Sequence, residues 1–85
     1  MYNPVMGRAA VFQEDGLYKI VFKLDSESWP QAKRFSSLDK MLEALRAVNL
    51  PFDQLIDFVF EGLQSNGRLQ PIPGSAADWV QFSRL

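Results

Sequence analysis

The sequence predicts an α+β domain, and three observations carry that prediction. Leu17–Asp25 (LYKIVFKLD) alternates apolar and polar residues as a half-buried strand does. Asp15-Gly16 lies between it and Arg8–Glu14 (RAAVFQE), and Asp-Gly suits a type I′ hairpin turn, which needs positive φ at both central positions. Ser37–Val48 and Pro51–Leu63 then show helical spacing of their apolar residues. The expected architecture is a two- or three-stranded antiparallel sheet, built on the N-terminal hairpin and packed by two consecutive helices. A short C-terminal helix or strand completes it. Residues 1–85 read as a single small domain.

Residues 1–7 form a lead-in interrupted by Pro4 and Gly7. With Asp15-Gly16 alone as the loop, Val11 faces Ile20 and Ala9 faces Phe22. A three-residue loop including Glu14 would pair Phe12 with Tyr18 and expose the opposite face of the first strand. The first register is preferred. It leaves Arg8, Phe12, Lys19, Val21 and Lys23 on the outer side.

Residues 25–31 (DSESWPQ) read as a loop, in which Trp29 precedes Pro30 and is therefore biased to extended backbone. Trp29 either covers the sheet edge or serves as an exposed contact, a role in which Trp is enriched. Ala32–Phe35 forms a short third strand, with Lys33 and Arg34 as the charges that guard an edge.

In the first helix Leu38, Met41, Leu42, Leu45 and Val48 line one face. Ser36 or Ser37 caps it, and Ser36 to Asp39 has capping-box spacing. Asp39, Glu43 and Arg46 form a solvated face, and Asn49-Leu50 turns the chain into the second helix.

That second helix, PFDQLIDFVFEGL, is the central element. Phe52, Leu55, Ile56, Phe58, Val59, Phe60 and Leu63 cover roughly 200° of its circumference, whereas a surface helix usually shows a stripe of about 100° or somewhat more. Pro51 and Asp53 suit its start, and Gly67 suits its C-cap. The extra width needs a second cover, which is either another segment of this chain or a partner. Gly62, which costs about 1 kcal/mol relative to Ala in a helix, reads as a close-packing position for Trp29, Trp79 or a partner helix.

RLQPIPGS, residues 68–75, reads as an extended, poorly hydrogen-bonded connector pinned by Leu69 and Ile72. Residues 76–85 combine a capping-box spacing, Ser75 to Asp78, with a β-like Trp-Val-Gln-Phe run. A short helix is preferred, with Trp79 and Val80 facing inward and the segment covering the central helix.

Composition narrows the chemistry. The chain has no histidine and no cysteine, so Ser–His and Cys–His mechanisms, disulfides and thiolate metal sites are excluded. General acid–base work would fall to Asp, Glu, Lys or Tyr. Asp53, Asp57 and Glu61 recur every four residues, but they read as a solvated stripe without the loop ligands of a Ca²⁺ or Mg²⁺ site. The expectation is a non-enzyme with no cofactor and no metal. The net charge of −1 shows neither the basic surplus of a strong nucleic-acid binder nor the acidic surplus of a DNA mimic. No apolar run is long enough to span a bilayer and the N-terminus lacks an apolar signal region, so a cytoplasmic protein is expected.

The favoured function is a small protein–protein interaction module, a regulator or inhibitor of a larger complex of the kind found in phage and mobile elements. Its partner is another protein or a second copy of the chain, as a homodimer. The surface expected for it centres on Phe58 and Phe60 with the acidic rim Asp53, Asp57 and Glu61, joined by Trp29 or Trp79. The alternative is a nucleic-acid-binding module whose sheet face carries Arg8, Lys19, Lys23, Lys33 and Arg34 beside Phe12.

EDGLYKIVF and FSSLDKMLEAL fill hairpin and helix slots in an order that resembles HicB-type antitoxins in outline, over about half the chain. That resemblance implies an antitoxin-like regulatory role and agrees with the alternative reading. The second helix has no counterpart in it, and no family is assigned on this ground.

Overall fold

The turn at Asp15-Gly16 sets the register of everything built on it. In the computed structural model, which describes residues 7–85, Asp15 and Gly16 have φ of 54° and 77°, both positive as a type I′ turn requires. Strand β1 (Gly7–Glu14) therefore pairs with β2 (Leu17–Leu24) so that Val11 opposes Ile20 and Ala9 opposes Phe22. Ala9, Val11, Ile20, Phe22 and Leu24 all point to one face and are buried there. Apart from Gly7, which opens β1, the expected lead-in lies outside the described residues.

Strand β3 (Gln31–Phe35) pairs antiparallel with β2, as expected of the charged third strand. A fourth strand, β4 (Gln70–Pro71), pairs antiparallel with β1, and the order is β3-β2-β1-β4. The sheet thus has four strands rather than two or three. The connector that was expected to be poorly hydrogen-bonded supplies the extra one. Pro71 has no N–H to donate, which suits an edge position. The Ile72 N–H donates to Gly7 O at 3.1 Å, and the Gln70 side chain donates from Nε2 to Phe58 O at 3.2 Å. Buried Ile72 and Gln70 anchor the segment, while Leu69, expected to share that task, is 64% exposed.

Helix α1 (Leu38–Ala44) continues as a 3₁₀ turn over Leu45–Ala47. Ser37 is its N-cap, its Oγ accepting from the Lys40 N–H at 3.2 Å, so the Ser36 to Asp39 spacing is not the one used. Helix α2 (Phe52–Gln64) packs on β1 through Gly62. A Cβ there would lie 2.6 Å from Val11 Cβ and 3.0 Å from Val11 O, so the close approach is to the sheet, not to a tryptophan or a partner helix. The helix ends in a Schellman arrangement: Asn66 N–H donates to Leu63 O at 3.2 Å and Gly67 N–H to Gly62 O at 3.0 Å. Asn66, with φ of 56°, takes the C′ position expected of Gly67.

A 3₁₀ turn over Ala76–Trp79 leads into α3 (Val80–Ser83), so the C-terminal segment is helical. Asp78 Oδ2 accepts from the Ser75 N–H at 2.9 Å, the reciprocal half of the capping box. Trp79 is fully buried, with its indole N–H donating to Pro73 O at 2.9 Å. Its ring meets Phe58 (centroids 5.9 Å apart), Phe82 (5.5 Å) and Phe22 (6.0 Å). This aromatic cluster joins sheet, α2 and α3 in one core. Phe82 takes the second inward position, and Val80, expected there, is 37% exposed. Helical spacing explains the exchange, since a residue three along returns to the same face and the next residue turns about 100° away.

Candidate binding surface

All the buried sheet residues belong to one face, and α1, α2 and α3 pack there. Among the described residues, none of the other face is buried. Because successive side chains alternate across a strand, the register assigns its residues directly. One row runs Arg34, Lys19, Phe12 across β3, β2 and β1. The next runs Ala32, Val21, Ala10. The third runs Lys23, Arg8, Pro71 across β2, β1 and β4. An aliphatic stripe thus lies between two rows that carry cations. The outer rows are four residues apart along β2, about 13 Å.

Beside Val21 and the small Ala10 lies a recess of about 280 Å³ on this face. Its lining includes Ala10, Val21, Arg8, Lys23 and Asp25, with Leu69 from the β4 side and Pro30 from the β3 side. Trp29, immediately before Pro30, is 79% exposed, so it does not cover the sheet edge or the core rim.

The electrostatics are unbalanced. Arg8 lies directly opposite Lys23 and Lys19 directly opposite Arg34, and like charges so placed are destabilising. Among the described residues the only ion pair is Lys19 with Glu14. Its hydrogen bond to Lys19, then the ammonium charge, hold the Glu14 carboxyl below the usual glutamate range. Lys19 is largely covered. Arg8, Lys23 and Arg34 form no ion pair among the described residues, and residues 1–6 contain no Asp or Glu.

The residues expected to form the partner surface are dispersed. Phe58 and Trp79 are core residues packed edge to face, which removes both from any exposed patch. On the apolar face of α2, Phe58 is covered by Trp79 of this chain's own C-terminal segment. Phe60 remains 45% exposed, and Asp53, Asp57 and Glu61 are exposed on the same helix, remote in sequence from Trp29. Among the described residues no group of three or more Asp or Glu is placed to hold a metal ion.

The cations expected for the alternative reading are better gathered. Arg8, Lys19, Lys23 and Arg34 share the open face. Lys33 does not: it opposes Ile20 on the inner side, its Nζ donates to Leu85 O at 2.7 Å, and it lies 5.8 Å from the Phe82 ring centroid. Strand alternation forbids neighbours Lys33 and Arg34 from sharing a face. Ala10, Ala32, Leu69 and Pro30 were not among the candidates. The outward phase of Val21 was the available signal, whereas the contribution of Leu69 depends on β4. Among the described residues no helix is long and apolar enough to cross a membrane. No family model, no curated protein and no solved structure matches this chain.

Proposed function

We propose that this protein is a non-catalytic interaction module that binds another protein through the open face of its sheet, acting as a small regulator or inhibitor of a larger complex. The observation that carries this reading is the Ala32, Val21, Ala10 stripe, left open by the described residues between rows of opposed cations, of which only Lys19 has a carboxylate partner, Glu14. Like charges set side by side cost stability in the free protein. They are compensated by a partner of complementary charge, and the stripe supplies the apolar centre such an interface needs. The expected location thus moves from α2 to the sheet.

A second reading is supported by the gathering of four expected cations on that face. It takes the same surface to be a single-strand nucleic-acid platform, with Phe12 as its stacking residue. One experiment separates the two. A photo-crosslinking residue is placed at Val21 and, separately, at Phe60, in cells that express the protein. The expected result is a protein adduct from position 21 that resists nuclease and is absent from position 60. An adduct from position 60 alone would return the surface to α2. A nuclease-sensitive adduct from position 21 would favour the nucleic-acid reading.

A further inference from the structure

The proposal that follows rests on the open sheet face being the binding surface, and concerns what occupies it. We propose that the occupant is an extended, acidic protein segment carrying two carboxylates four residues apart and an aliphatic residue midway between them.

The spacing argument is geometric. The cationic rows are about 13 Å apart, with Val21 halfway. In an extended chain, residues i, i+2 and i+4 point to one side and span the same distance. A segment laid along β2 therefore sets carboxylates over the Arg34 and Lys23–Arg8 rows while its central side chain lies over Val21, at the edge of the recess that Val21 and Ala10 share with Arg8, Lys23 and Leu69. Arg8, Lys23 and Arg34 supply positive charge outside ion pairs for this; Lys19 is engaged by Glu14, whose carboxyl also feels the Arg34 charge, and Asp25 lines the recess with Arg8 and Lys23.

Nucleic acid fits less well. Three cations outside ion pairs would give a salt slope of only about −2 on a single strand. The centre of the face is aliphatic, so it offers a base no stacking plane. The ring of Phe12 lies against the Gly67 backbone, where a Cβ would be 3.1 Å from Phe12 Cδ1. A second copy also fits less well. Asp53 and Glu61 on α2 are eight residues apart, about 12 Å along a helix, but Asp57 between them would be set against Val21.

The test uses the full chain labelled with ¹⁵N and a fluorescent peptide with two aspartates four positions apart and a leucine midway. Controls are the diasparagine peptide, the same residues with adjacent aspartates, and oligodeoxythymidine. The expected result is amide shifts at Ala10, Val21 and Ala32. Binding by anisotropy should fall about tenfold for Lys23→Glu or Arg34→Glu, the loss of one charge-assisted contact, and about a hundredfold for the diasparagine peptide, which loses two. Thermal melts of both variants verify that each remains folded. Equal binding of all three peptides, or tighter binding of oligodeoxythymidine at the same residues, overturns the proposal. No peptide shifts alongside a persistent protein adduct from position 21 overturns this occupant and leaves the face reading standing. Shifts confined to α2 overturn both.

Discussion

The two faces of the sheet are made by the same strands, often by adjacent residues, and they answer to different demands. On the inner face Ala9, Val11, Ile20, Phe22 and Leu24 are buried against the helices, and the Phe22 ring touches Trp79 and Phe82. On the outer face Arg8, Ala10, Phe12, Lys19, Val21 and Lys23 are all partly or fully exposed. The inner side combines apolar side chains with close aromatic contacts. The outer side opposes cation to cation and leaves small residues where a core would have large ones. Strand alternation thus lets one hairpin hold the stabilising residues on one side and the candidate binding residues on the other, one residue apart.

The largest test of this contrast compares neighbours. Phe22→Ala should lower unfolding free energy by about 3–5 kcal/mol, as a truncated core aromatic does, whereas Val21→Ala should cost well under that, about 1 kcal/mol or less. Denaturant melts of the two variants check it, and equal losses would mean that the outer face is also covered. Next in size is Gly62→Ala. The added Cβ meets Val11 on the inner face, so overpacking should outweigh the improved helix propensity and leave a net loss of about 1–2 kcal/mol. A gain in stability would show that α2 can move off β1 without penalty.

Asp78→Ala removes the acceptor for the Ser75 N–H at the turn that delivers Trp79 to the core. A thermal or denaturant melt should show a loss of about 1 kcal/mol, typical of a helix cap. The smallest effect lies on the outer face. Because the Glu14 carboxyl is held below its ordinary range by Lys19, its ionised form favours the folded state above that range. The contribution is lost as pH falls through the lowered value. An NMR titration should find the Glu14 carboxyl moved upward in Lys19→Met, and no movement would show that the pair does not form in solution.

Much of the fold was legible in the chain itself. Asp15-Gly16 marked the hairpin and favoured the observed register over the three-residue-loop alternative, because few residues accept positive φ at both central positions. The period-2 pattern of β2 told the faces apart, and Ser75 with Asp78 marked the last helical turn. The candidate surface was harder to read. The alternation placed Arg8, Lys19, Val21 and Lys23 outside, yet the width of the α2 apolar face drew attention to Phe58, which Trp79 covers. Local pattern measures how much apolar surface needs a cover; it offered the C-terminal segment as a candidate but carried no information on which residues of α2 that segment would reach.

Local propensity and periodicity are properties of consecutive residues, so the sequence by itself determined the α+β class, the hairpin, the positions of the first two helices and the absence of histidine and cysteine chemistry, and it left the hairpin register and the C-terminal segment as preferences. Tertiary structure alone decided the rest. It added β4 to the edge of β1, set Gly62 against Val11, placed Phe82 rather than Val80 in the core beside Trp79 and turned Lys33 inward while Arg34 stayed out. Each depends on contacts between residues far apart in the chain. Their stability comes from excluding water between surfaces that meet only when the whole chain has folded.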